Sequence, residues 1–174
     1  MHKVQIKSTK PYVRERDMYP FVAAWLKRTL SGIYPRASIN VYDTSTVALY
    51  RFLESHGYSD LFPLFRTYEI HVDITAIIQH RKKPAALAFV ECKLDQISLK
   101  DLSQLLGYSR VAQPIYSIIL GPGGISPALH ALLHNYGRLD VLTYADGKRI
   151  KVATWDPVRA EVHIPSLIPH GEYT

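Results

Sequence analysis

Cysteine is nearly absent from this chain: Cys92 is the only one in 174 residues. An internal disulfide is therefore impossible, and a zinc site built on several thiolates is excluded. No run of about 18 uncharged apolar residues occurs, so no transmembrane helix is expected. The amino-terminal stretch MHKVQIKSTKPYVRERD lacks the apolar segment of a signal peptide, and a cytoplasmic protein is the expectation. Acidic residues are the scarcer charge, 15 Asp and Glu against 21 Lys and Arg, which leaves a net charge of +6 and a pI near 9.4. The resulting positive field favours a polyanionic partner and makes its binding salt-dependent, although many basic proteins bind no nucleic acid. Internal repeats and low-complexity tracts are also missing. What remains is the composition of an ordinary globular protein, 47% hydrophobic and 21% charged, long enough for one domain with a real core.

The hydrophobic spacing predicts an alternation of helices and strands. Residues 1–14 read as a basic arm or an edge strand. Met18, Val22, Trp25 and Leu26 recur at helical spacing over 15–30, with Gly32 closing the run. SINVYD (38–43) reads as a short strand, and 44–56 as a helix opened by a cluster of capping residues and closed at Gly57. In TYEIHVDITAII (67–78) the alternation puts Tyr68, Ile70, Val72, Ile74 and Ala76 on one face, and Glu69, His71, Asp73 and Thr75 on the other. QHRKKP is then a turn, AALAFVECKL (85–94) a strand, and 98–112 a helix capped by Ser98. IYSIILG (115–121) is a buried strand, because it is almost continuously apolar. A helix near 126–136, a strand at 139–145 and a carboxy-terminal hairpin turning at Asp156-Pro157 complete the chain. The order implies an α/β fold around a mixed sheet, as one domain with a core over about 15–145 and a hairpin extension over 146–174.

The chemistry concentrates at LAFVECKLDQ (87–96). Glu91 and Lys93 share one face of their strand, roughly 7 Å apart along it, while Cys92 turns to the other face with Val90 and Ala88 as a small buried hydrophobe. A hairpin brings Asp73 within several ångströms of Glu91. Two carboxylates so close in a partly buried cleft repel each other, so one takes up a proton or a cation sits between them. Two carboxylates and a backbone carbonyl suit a hard, oxygen-liking ion such as Mg²⁺. The plainer reading is a surface Asp beside an exposed Glu–Lys pair, and these residues alone do not choose between the two.

Asp73 followed by Glu91-Cys92-Lys93 at a strand end resembles the D…(D/E)xK signature of the PD-(D/E)xK, or restriction-endonuclease-like, nuclease superfamily. Gln104 and Tyr108 in QLLGY are similar to the QxxxY motif of its RecB-like members. Val72 stands where the superfamily's name has Pro. The resemblance covers about 15–121 and implies a restriction-endonuclease-like mixed sheet flanked by helices. It also implies Mg²⁺- or Mn²⁺-dependent hydrolysis of phosphodiester bonds in DNA. Asp73 and Glu91 are then metal ligands, Cys92 lends its carbonyl, Lys93 is the catalytic lysine, and Gln104 and Tyr108 orient it or touch the substrate backbone. Members often carry an acidic residue on the first helix. Glu15 and Asp17 are the candidates, and Glu15 is favoured because it shares a stripe with Met18, Val22 and Trp25. Alanine at Lys93 or Asp73 is expected to abolish cleavage with the fold intact. The alternatives are a catalytically inactive DNA-binding protein on the same fold and a dimeric Holliday-junction resolvase. DNA is the implied partner, with a homodimer or a specificity-supplying protein as further possibilities and no membrane.

Other signals carry less. GPGG (121–124) reads as a turn, since no G-K-[ST] follows it. His130 and His134 lack the intervening Glu of a zincin helix and read as partly buried core or interface residues. HRKK (80–83) is a candidate phosphate contact beside the active site, or simply a charged hairpin tip.

Overall fold

A computed structural model describes residues 11–171. The chain is α/β, with a six-stranded mixed sheet in the order β1-β2-β3-β4-β7-β8 flanked by helices on both faces. Its strands are β1 (Ser38–Asp43), β2 (Ile74–Gln79), β3 (Ala86–Cys92), β4 (Tyr116–Gly121), β7 (Lys151–Asp156) and β8 (Glu161–Ile168). β3, β4 and β7 run parallel to one another, and β1–β2, β2–β3 and β7–β8 pair antiparallel. The carboxy-terminal hairpin thus continues the sheet rather than standing apart from it. A small separate ribbon joins β5 (Thr143–Ala145) and β6 (Lys148–Arg149).

Helix α1 (Tyr19–Ile33) covers one face, burying Val22, Trp25, Leu26 and Leu30 against Ile74, Ala88, Val90 and Ile118. Each such side chain contributes on the order of 1.5–3 kcal/mol by leaving water. Pro20 does not kink the helix. It sits in the first turn, where its missing N–H would have no partner anyway, and a 3₁₀ turn over Glu15–Met18 leads in. The helix runs through Gly32 to Ile33, one residue past the expected stop.

Helices α2 (Leu49–Ser55), α3 (Leu99–Ala112) and α4 (Pro127–His130, extended by a π-helical turn over Ala131–Asn135) pack on the other face. At α3, Ser98 Oγ accepts the Asp101 amide while the Asp101 carboxylate accepts the Ser98 amide, the reciprocal cap that the sequence signals. Leu102 and Leu105 are buried, whereas Leu99 is exposed.

Three expectations need correction. The strand expected over 67–78 begins only at Ile74. A bend at Asp73 reverses the alternation, so Tyr68, Ile70 and Val72 pack on the α2–α3 face while Ile74 and Ala76 pack under α1. The physical reason is competition for backbone acceptors: the Tyr68 and Ile70 carbonyls accept the Tyr50 and Leu49 amides, and the Asp73 carbonyl accepts the Thr44 amide. Thr44 is consequently no helix cap. Its buried hydroxyl donates to the Val72 carbonyl at 2.6 Å, and α2 starts five residues later. Secondly, the strand expected at 139–145 is a 3₁₀ turn over Leu139–Leu142 followed by the short β5. Thirdly, His130 and His134 are exposed rather than partly buried, stacked on each other with ring centroids 4.5 Å apart. Of the arm expected at 1–14, the first ten residues lie outside the described range, and 11–14 form no strand.

Candidate active site

The parallel strands β3 and β4 end at the same edge of the sheet where β2 begins, and the carboxylates gather there. Asp73 stands at the bend before β2, on the register position opposite Glu91 in β3. Its carboxylate is held from two layers: Oδ1 accepts the Tyr19 hydroxyl of α1 at 2.6 Å, and Oδ2 accepts the Cys92 backbone N–H at 2.8 Å. Sequence reasoning missed Tyr19, although its place one turn after Glu15 marks it as facing the same edge.

Glu91 is 4% exposed. Lys93 Nζ donates to its Oε1 at 2.9 Å, whereas Oε2 is buried with no hydrogen-bond partner among the described residues. An orphaned carboxylate oxygen is a costly group to bury unless something else occupies it. Lys93 also lies 3.6 Å from Glu15 Oε1, and Glu15 Oε2 accepts the Leu94 amide at 3.4 Å. Glu15 therefore turns into the cluster. Asp17 turns away and closes a cap on Arg14.

The electrostatics follow from this geometry. Burial first, and then the neighbouring Asp73 charge, push the Glu91 carboxyl up to about 7, against the pull of the Lys93 ammonium. Burial likewise raises Asp73 and Glu15 above their ordinary values. Burial alone would lower the Lys93 ammonium, but Glu91 and Glu15 more than offset it, and the group is held above its usual range. The Cys92 thiol is buried beneath β3, and burial pushes its pKa up, so it is an inert apolar group.

This arrangement has a consequence for stability. Glu91 titrates near 4.5 when solvated and near 7 when folded. Its contribution is therefore fully present below about pH 4.5 and is lost as pH rises through about 7, a change on the order of 3 kcal/mol. Glu15 and Asp73 act in the same direction, and the Lys93 contribution is lost only at higher pH. Urea unfolding in the presence of a chelator is expected to show stability falling between about pH 4.5 and 7. Glu91→Gln is expected to flatten much of that fall, and an equally steep fall in this variant would contradict the assignment.

The loop after Lys93 is clasped by the GPGG turn. The Lys93 amide donates to the Leu120 carbonyl, the Ile97 amide to Gly124, and the Ser126 amide to Ile97. A Cβ at Gly121 would collide with the Lys93 carbonyl oxygen, and one at Gly123 would press on the Asp95 backbone. Neither neighbour is a flexible side-chain end, so these glycines permit the close approach that seats Lys93. Gly121→Ala is expected to cost about 1–3 kcal/mol in urea unfolding. A loss below a few tenths of a kcal/mol would show that the clasp does not constrain this loop.

Gln104 and Tyr108 lie one turn apart on α3, and Gln104 Nε2 donates to the Tyr108 hydroxyl at 3.3 Å. Tyr108 is half-buried against the α2–α3 core, and the pair bonds to itself, not to Lys93 or the carboxylates. The basic HRKK turn lies at the far end of β2, about 20 Å along the strand from Asp73, and so not beside the carboxylates.

Among the described residues no three His, Cys, Asp or Glu side chains form a ready-made metal cage. The donor set nonetheless fits a divalent cation. Glu91 and Glu15 share the Lys93 ammonium, Asp73 and Glu91 are buried, and Glu91 Oε2 has no hydrogen-bond partner among the described residues. No protein-family model matches the chain, and neither the curated proteins nor the solved structures give a match.

Proposed function

We propose that this chain is a metal-dependent DNA nuclease of the restriction-endonuclease-like type. The observation that carries the reading is the buried Asp73–Glu91–Lys93 cluster, with Glu91 Oε2 unpartnered and Glu15 closing the rim. Asp73 and Glu91 would hold Mg²⁺ or Mn²⁺, with the Cys92 carbonyl and Glu15 as further oxygen donors. Such an ion, when bound, polarises a phosphoryl oxygen and lowers the pKa of water. Lys93 orients the attacking water and stabilises charge developing on the phosphate. Tyr19 and the Cys92 amide fix the Asp73 carboxylate, so that its geometry is set before substrate arrives. The exposed Gln104 and the half-buried Tyr108 of α3 contact the substrate backbone in this reading.

An inactive DNA-binding protein on the same fold would have no use for three carboxylates, which repel a phosphate backbone. Their presence around one lysine favours the enzyme. The test is cleavage of single-stranded, duplex, flapped and four-way-junction DNA with Mg²⁺ or Mn²⁺, beside the same reactions in chelator. Cleavage of at least one substrate, lost on chelation, is expected. Binding without cleavage of any of them would support the inactive alternative.

A further inference from the structure

The sheet is electrically polarised from end to end. Asp73, Glu91 and Asp43 stand at the carboxyl end of the parallel strands. At the opposite end lie the start of β1, the β2–β3 turn, and the starts of β4 and β7, and these carry Arg36, Arg81, Lys82, Lys83, Arg149 and Lys151. None of the six is in an ion pair with Asp or Glu among the described residues. All but the half-buried Lys151 are exposed. They line two concavities, one of about 460 Å³ at Arg36, Arg81, Lys82 and Lys83, the other of about 630 Å³ at Arg149 and Lys151. Among the described residues Asp146 is the one acid on these walls.

Aromatic groups join the two concavities. The Tyr34 and Tyr116 hydroxyls are hydrogen-bonded at 2.7 Å, and Tyr116 lines the larger concavity. On the other side Tyr34 meets His80 edge-on at 5.3 Å, and His80 lines the smaller one. The result is a continuous cationic, aromatic-interleaved surface, held in one shape by the sheet end beneath it.

We propose that this end of the sheet is a second nucleic-acid-binding surface, a phosphate-backbone exosite separate from the carboxylate cluster. Unpaired cations spaced over two grooves suit a polymer of phosphates better than a single small anion. Burial and the neighbouring Arg149 lower the Lys151 ammonium, so an incoming phosphate relieves crowding there. The two ends face away from each other across about 20 Å of strand, so a straight duplex lying across one end leaves the other free. The exosite therefore holds a second segment, such as another arm of a branched DNA. The identity of the polyanion rests on the nuclease reading above.

The test measures binding of a fluorescent 20-base-pair duplex by anisotropy in chelator, where the carboxylate end repels phosphate and the exosite dominates. The variants are Lys82→Glu/Lys83→Glu and Arg149→Glu/Lys151→Glu, with thermal melting to show that each stays folded. Each pair is expected to weaken binding at least about tenfold at 0.15 M salt and to flatten the dependence of log affinity on log salt by about 2. Unchanged affinity and slope in both pairs would overturn the exosite. So would reversals that release the protein from anionic phospholipid vesicles while leaving duplex affinity alone, since the surface would then serve a membrane. Binding needs no catalysis, which separates the two readings. A protein that never cleaves DNA but loses duplex affinity on reversal sinks the nuclease and keeps the exosite, and cleavage with unmoved affinity does the opposite.

Discussion

Lys93→Met is expected to lower the rate of DNA cleavage by about 10²–10⁴-fold, the range seen when a positioned proton-transfer or charge-stabilising group is removed. Methionine keeps the unbranched length of the side chain and removes only the ammonium. Among the described residues that ammonium is the single counter-charge between Glu91 and Glu15, 2.9 and 3.6 Å away. Without it Glu91 answers by holding its proton more tightly, since burial already favours the neutral form. The cost in stability is thereby blunted, and urea unfolding near neutral pH is expected to change far less than the rate. Lys93→Arg separates two roles, because guanidinium keeps the charge but cannot give up a proton in this range. Partial recovery by arginine would assign charge stabilisation. Undiminished cleavage by Lys93→Met would remove the lysine from the mechanism.

The second large effect is at Asp73, where two substitutions are expected to diverge. Asp73→Ala strips the acceptor from two buried donors, the Tyr19 hydroxyl and the Cys92 amide. Each orphaned donor costs about 1–3 kcal/mol, so a total of about 2–6 kcal/mol is expected and the fold does not escape, contrary to the sequence-based expectation. Asp73→Asn is gentler. Its carbonyl oxygen still accepts the Cys92 amide, and its NH₂ can donate to the Tyr19 oxygen in return. The negative charge is gone in both, so both are expected to lose at least about 10²-fold in cleavage. Urea unfolding and single-turnover rates measured on the pair tell a structural from a catalytic role. Equal stability in alanine and asparagine would show that the Tyr19 and Cys92 contacts carry no weight. Wild-type rates in Asp73→Asn would show that the carboxylate charge is not needed.

Much of this site was legible before the structure. The period-2 pattern put Glu91 and Lys93 on one side and Cys92 on the other, and in the fold Cys92 packs with Ala88 and Val90 while Lys93 reaches Glu91. The β2–β3 hairpin and its turn, the buried β4 and the Ser98 cap were also readable, because each rests on local chemistry. The bend at Asp73 was not. TYEIHVD alternates as a strand should, and only the distant amides of Thr44, Leu49 and Tyr50 draw its carbonyls out of the ladder. Tyr19 was hidden for a related reason, since its value lies in a hydrogen bond 54 residues away in sequence. Similarly, HRKK advertises its charge but not its address. Strand direction alone decides that it falls at the far end of the sheet, with Arg149 and Lys151 for company.

The deciding question is whether Asp73 and Glu91 together support hydrolysis with a divalent cation. The measurement that bears on it most directly is single-turnover cleavage of the best DNA substrate by the wild type, Asp73→Asn and Glu91→Gln, each titrated with Mg²⁺ and with Mn²⁺. The expected result is a saturable, metal-dependent rate in the wild type that falls at least about 10²-fold in both variants and vanishes in chelator. Cleavage that persists in chelator, or that survives the loss of either carboxylate, would contradict it.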